Sequence, residues 1–321
     1  MGMNINAYTI ADDLRLAEVD AREMSDVWFT DDVVRWVDVS ASSSDDVQKI
    51  IEQLRLPSAI GEAIMSTNTQ SRVIAFETLL FGAIPIQPSD CQSTCLRFLC
   101  GPTGLLTLHT APVLEIDEVA KDLQDDLRLT QATVAALLFQ ILEAVQRGMV
   151  TVVVALRSDL YLASEKLKAG SREISTDDLL ALKQRAIGIS DTIEDQLYCV
   201  RELYAARSES LQLSKTRAQF RKLLATLEGS RANVLRLEDR IGDLRQSFTN
   251  QLQEVTNRRL NVVAVLSTIY LPATLIAGIY GMNFTNIPIV QMPYGYLLVM
   301  LLMAALVVGQ ILFFWRRGWF K

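Results

Sequence analysis

The 321-residue chain nearly lacks histidine: His109 is its only one. Catalytic triads, imidazole general bases and most zinc-ligand sets depend on histidine, so these designs are disfavoured. No Walker, dinucleotide-binding or nucleophile-elbow pattern occurs, which argues against hydrolysis-driven pumping and against an enzyme in general. Proline is missing between Pro112 and Pro272, so nothing in that interval forces a helix to stop. The largest gap is in charge. From Asn261 to Trp315 there is no Asp, Glu, Lys, Arg or His. A mean hydropathy of +0.21 alongside 21% charged residues is explained by that segregation, and an uncharged stretch of this length implies membrane insertion.

The charge that is present lies on the other side of that boundary. All 37 acidic residues precede the uncharged stretch, whereas Arg316, Arg317 and Lys321 are the only basic residues beyond it. Residues 1–260 thus set 28 basic against 37 acidic side chains, a formal charge of −9. That balance disfavours a nucleic-acid partner and favours cations. Asp12, Asp13 and Glu18 occupy the region where a signal peptide needs a basic start and an apolar run, and Asn6 stands where myristoylation needs Ser or Thr. The soluble part is therefore expected to stay in the cytoplasm.

Gly281-Met282-Asn283-Phe284-Thr285-Asn286-Ile287-Pro288 breaks the uncharged stretch into two helix-length segments, 261–280 and 294–315, joined by an outer loop 281–293. Arg258 and Arg259 before the first and Arg316 and Arg317 after the second place both termini inside by the positive-inside rule. Ahead of the spans, apolar residues recur every seven positions at Phe220, Leu227, Val234, Ile241, Phe248 and Val255, with Leu223, Leu237 and Leu244 offset by three. This heptad seam predicts one helix from about 212 through the first span to about 281, packed on neighbouring helices or on copies of itself. Residues 1–110 read as mixed structure, with strand candidates at 33–39, 72–81, 94–100 and 105–109 and helix candidates at 45–54 and 58–65. From 117 onward the pattern is helical, most strongly over 130–148 and 175–204. The expected fold class is an α+β helical membrane protein: a cytoplasmic α/β and helical domain (1–204), a stalk helix (205–260), and two transmembrane helices with a short basic cytoplasmic tail (261–321).

Two helices cannot enclose a water-filled path, so transport would require an oligomer. On the first span the positions Asn257, Asn261, Ala264, Ser267, Leu271, Thr274, Gly278 and Gly281 form a small or polar stripe, whereas the second span is mostly Leu, Val, Met, Phe and Ala with Gln310 its most polar member. Small residues also mediate plain helix packing in membranes. The bracketing asparagines favour a polar pore.

Tyr280-Gly281-Met282-Asn283 directly after a first span, Leu271-Pro272-Ala273-Thr274 within it, two spans at the carboxyl end and a short basic tail together resemble the CorA family of divalent-cation channels. The resemblance is specific over 254–321 and architectural over 1–253. It implies a homopentamer in the cytoplasmic (inner) membrane, with a cytoplasmic funnel of α/β domains and long stalk helices. It implies further that Gly281, Met282 and Asn283 form the outer cation ring, with Asn283 as the metal-contacting residue. Asn257, Leu260, Val263, Ser267, Leu271, Thr274, Gly278 and Gly281 would line the pore. A neutral ring of amide oxygens suits Mg²⁺, which gives up water reluctantly and can be held through its hydration shell. Leu260, Val263 and Leu271 would act as apolar rings that close the path by dewetting. Divalent cations, Mg²⁺ foremost and Co²⁺ as well, would be cargo, with no resident cofactor.

Two departures stand out. The loop 284–293 has no acidic residue, and Gln246 stands where family members gated by intracellular Mg²⁺ carry an Asp on the stalk. Asp243, one turn earlier, is the candidate replacement. Asn257-Arg258-Arg259-Leu260 and the segment from Leu56-Pro57 to Arg72-Val73 are similar to the zinc-transporting ZntB branch, which keeps Zn²⁺ as an alternative cargo. A reading from another class is a membrane-tethered coiled-coil sensor or scaffold. Cys91, Cys95, Cys100 and His109 match no common zinc spacing, and on a strand Cys95 and Cys100 would face opposite sides. Buried free thiols are expected. The paired acids Asp12-Asp13, Asp31-Asp32, Asp45-Asp46, Asp125-Asp126 and Asp177-Asp178 are candidate cation sensors, but most read as helix caps and solvated faces, with Asp45-Asp46 at an expected helix start.

Overall fold

A computed structural model describes residues 3–21, 26–29, 31–66, 70–86, 94–169, 174–206, 216–282, 289 and 292–317. The chain divides into two compact units, residues 1–243 and 244–321.

The first unit holds a seven-stranded sheet made of β1 (Asn4–Ile10), β2 (Leu16–Val19), β3 (Arg35–Ser40), β4 (Arg72–Ala75), β5 (Leu80–Ile86), β6 (Thr94–Cys100) and β7 (Gly104–His109). Its order is β2-β1-β3-β7-β6-β5-β4. Only the central β3–β7 pair is parallel, with Asp38 opposite Thr107 and Ser40 opposite His109. A parallel pair needs a long crossover, and the chain between these strands supplies α1 (Ser44–Gln53) and α2 (Ser58–Met65). These helices cover one face, where Val37, Val39, Phe81, Leu99, Leu106 and Leu108 pack with Ile50, Ile60 and Ile64. Ser43 caps α1 by accepting from the Asp46 N–H, as the acidic pair predicts. On the strand next to the edge, Gly82 sits opposite Phe98, whose ring occupies the space that a Cβ would need.

The other face is covered by α3 (Leu114–Asp125), α4 (Val134–Lys168) and α5 (Thr176–Ala205). Two bonds tie α5 to the sheet edge: Gln196 Nε2 donates to the Pro85 carbonyl at 3.0 Å and Ser71 Oγ to the Asp195 carbonyl at 2.6 Å. Ser175 and Asp178 complete a capping box at the start of α5. Under this helical layer the sheet carries a buried polar chain. Trp36 Nε1 donates to Thr107 Oγ1 (2.9 Å), Thr107 Oγ1 donates to Asp38 Oδ1 (2.6 Å), and His109 Nε2 lies 3.3 Å from Asp38 Oδ2. His109 Nδ1 meets the Ala111 carbonyl at 2.7 Å. Burial works against the charged imidazole, but the Asp38 hydrogen bond and charge, the Ala111 carbonyl and Asp117 outweigh it, so the His109 pKa is raised above 6.5.

The sheet departs from the sequence reading at two places. The strand pair β1–β2 was not expected, and the run 72–81 is two strands separated by a turn closed by the Phe76 N–H on the Leu79 carbonyl. The helix expected at 130–148 continues to Lys168. That helix, α4, is as long and apolar as a membrane span, but 61% of its apolar window is buried inside the unit, against 6% for α6 (Arg217–Tyr280) and 11% for α7 (Gly295–Arg316). Its hydropathy belongs to the bundle core. In the first unit the heptad seam of α6, Phe220 to Ile241, is buried. Phe220 meets Phe139 of α4 with ring centroids 5.9 Å apart, and Glu228 and Arg231 pair with Arg201 and Glu194 of α5.

Candidate functional site

The second unit consists of the rest of α6, from Leu244, and α7. Past Leu244 the seam loses its partner: Phe248 is half-buried, and Leu252 and Val255 are exposed. Within the uncharged stretch α6 has two contrasting faces. Val265 is buried and Ile269, Pro272, Ala273, Ile276 and Tyr280 are partly covered. The matching positions of α7, Gly295, Val299, Met303, Leu306, Gln310 and Phe314, are likewise shielded at steps of three or four. These are the faces that the two helices turn to each other.

The stripe singled out from the sequence lies elsewhere. Asn257, Leu260, Asn261, Val263, Ala264, Ser267, Leu271, Thr274, Gly278 and Gly281 are all exposed. At about 100° per residue, this set is centred roughly 180° from the face covered by α7. Among the described residues, nothing beyond the two chain neighbours and the helix's own backbone comes within 4 Å of a Cβ built at Gly278. The hydroxyls in the stripe are oriented: Ser267 Oγ donates to the Val263 carbonyl (2.9 Å) and Thr274 Oγ1 to the Tyr270 carbonyl (2.8 Å). With the proton directed at the helix backbone, the oxygen lone pairs remain available, a polarity suited to cations and to their hydration water. Met282 is exposed, and its N–H reaches the Ile279 carbonyl as the helix ends. Asn283 lies outside the described residues.

Pro272 sits inside α6 and has no N–H for the carbonyl of Thr268, four residues back. Gln310 of α7 takes that role: its Nε2 donates to the Thr268 carbonyl at 3.1 Å. Gln310 therefore serves a backbone group left open by proline, and the sequence contained its signal only as one amide in an otherwise apolar helix.

Asp243 is exposed on α6, and Gln246 donates to Asn250 Oδ1 at 3.0 Å. Cys95 and Cys100 do lie on opposite sheet faces, Cys95 in the core beneath α1 and α2 and Cys100 near Cys199 of α5. All three are free and buried, and burial pushes their thiols upward. Cys91 lies outside the described residues.

The chain is similar to known transport proteins along its whole length. It is 34% identical over 144 residues to the putative metal ion transporter YfjQ of Bacillus subtilis, a match spanning 45% of this chain and 43% of that protein. It is 24% identical over 335 residues to the cobalt/magnesium transport protein CorA of Methanocaldococcus jannaschii, covering 98% and 99% of the two chains. The complete structure of that magnesium transporter superposes with a TM-score of 0.84 over 98% of each chain, at 19% identity. The ZntB cytoplasmic domain of Vibrio parahaemolyticus superposes at 0.66 with 14% identity, over 79% of this chain and all of that one. The sequence profile of the family described as CorA-like Mg²⁺ transporter protein matches residues 31–317, so the α/β unit and both apolar helices belong to one member of the CorA-like family.

Proposed function

We propose that the chain assembles, as a pentamer, into a channel that moves divalent cations, Mg²⁺ first and Co²⁺ as well, through a path lined by α6. The observation that carries this is the exposed stripe from Asn257 to Gly281, opposite the face that α7 covers. A helix face left open by α7, and made of amides, hydroxyls, glycines and isolated leucines, is suited to a shared water-filled axis between copies. Relatives named as magnesium or cobalt/magnesium transport proteins support Mg²⁺ and Co²⁺ as cargo. Residues 1–204 would then be the cytoplasmic domain, 205–260 the stalk and 261–321 the spans, with both termini on the cytoplasmic side of the inner membrane. Gly281, Met282 and Asn283 would form the outer ring, with Leu260, Val263 and Leu271 as constrictions. Entry is driven by the membrane potential, which supplies about 4.6 kcal/mol for a double charge crossing 100 mV.

Flux into liposomes under an inward-negative potential tests the reading. Mg²⁺ uptake that exceeds Zn²⁺ uptake and is insensitive to a pH gradient is expected, and Asn283→Ala should abolish it while the assembly remains intact. Zn²⁺ preference would move the protein to the ZntB alternative. Absence of any divalent flux would leave a tethered scaffold.

A further inference from the structure

A groove of about 290 Å³ opens between α4 and the part of α6 in the first unit. Arg157 lines it from α4, and Arg236, Arg240 and Asn233 line it from α6, over a floor formed by buried Val153 and Leu237. No carboxylate lines the groove among the described residues, and none of the three arginines forms an ion pair with a described residue. Arg185, Arg201 and Arg231 each pair with an acidic side chain, and acids outnumber bases over residues 1–260. Arg236 and Arg240 are also one turn apart on the same helix, a like-charge arrangement that disfavours the empty molecule. Arg157 lines the same groove from the other helix.

We propose that this groove is a binding site for a phosphate-bearing anion of at least two negative charges, with a di- or triphosphate group as the recognised element. Guanidinium forks match phosphate oxygens in bidentate geometry, and three of them neutralise a polyphosphate more fully than a single carboxylate would use. The Asn233 amide adds a neutral donor beside them. The volume lies at the small end of ligand pockets, about 300–1,000 Å³, which suits the phosphate group with its organic part outside. Val154 is 58% exposed at the rim and gives an attached ring an apolar surface. The site is separate from the ion path proposed above, and its test does not use flux.

The test is isothermal titration of the full-length protein in detergent, at low salt with EDTA, using inorganic pyrophosphate and ATP as probes. Both are expected to bind, with ATP tighter than pyrophosphate if the rim holds the nucleoside. Arg236→Gln with Arg240→Gln, and Arg157→Gln alone from the other helix, should each weaken binding tenfold or more. Arg201→Gln, which removes a paired arginine elsewhere, should leave it unchanged. No heat from either anion overturns the proposal, and that result is also expected if a carboxylate of a second copy fills the groove. Undiminished binding by the Arg157→Gln or double variant, with its melting temperature unaltered, overturns it equally.

Discussion

The bond between Gln310 and the backbone of α6 lends itself to a quantitative experiment, because its reason for existing is a single residue. Pro272 leaves the Thr268 carbonyl without its helical donor, and Gln310 Nε2 supplies one at 3.1 Å. Gln310→Leu keeps the side-chain volume close and strands the carbonyl in an apolar stretch. Interhelical hydrogen bonds in membranes average about 0.6 kcal/mol and reach about 1.7, while an unsatisfied buried acceptor costs about 1–3, so a loss of about 1 kcal/mol is expected. Pro272→Ala restores an N–H that can donate to Thr268 within the helix. In that background Gln310→Leu should cost nothing measurable, giving a coupling of about 1 kcal/mol in a double-mutant cycle. Thermal unfolding of the four proteins in one detergent measures it, with an expected shift of about 2 °C for the single variant. Equal destabilisation by Gln310→Leu in both backgrounds would refute the reasoning, because Gln310 would then act through packing alone.

Other outcomes follow from the same geometry. The raised pKa of His109 means that its stabilisation is complete below the unfolded value near 6.5 and is lost as pH rises through the folded value. The protein should thus melt lower at pH 8.5 than at pH 6, and His109→Gln should flatten that difference. Gly82→Val drives a side chain into the Phe98 ring and should cost about 2 kcal/mol or more; a Phe98→Ala partner substitution should recover part of it, as read by denaturant midpoints. Leu271→Ala or Leu260→Ala should raise closed-state leak in liposomes if these side chains form dewetting rings, and unchanged leak in both would make them packing residues. Gln246→Asp should steepen inhibition by cytoplasmic Mg²⁺ measured as current, whereas Asp243→Asn should weaken it; an unmoved curve for Gln246→Asp would exclude that stalk position as the sensor.

Much of this protein could be read from the order of its residues. The two apolar helices, the uninterrupted run of α6 and the CorA-like resemblance rest on one-dimensional signals: missing charge, missing proline, a seven-residue repeat and a short motif. The helix start at Asp45-Asp46 was legible for the same reason, since a cap is made by residues three apart. Turns without their usual residues were not legible. The β4–β5 hairpin turns through Phe76, Glu77, Thr78 and Leu79, with no glycine, asparagine, aspartate or proline, whereas the β1–β2 hairpin has Asp12-Asp13 at its turn but passes through Leu14 at φ 66°, a conformation that a leucine does not signal. Hydropathy alone would not separate α4 from a membrane span, because a bundle core and a bilayer select the same side chains, but Glu143, Arg147, Arg157 and Asp159 within it already set it apart from the uncharged stretch. Only the tertiary structure joined Gln310 to Thr268 and His109 to Asp38. Such pairings join residues far apart in the chain. Their partners are chosen by which carbonyl or carboxyl folding leaves without a neighbour, and local sequence does not record that.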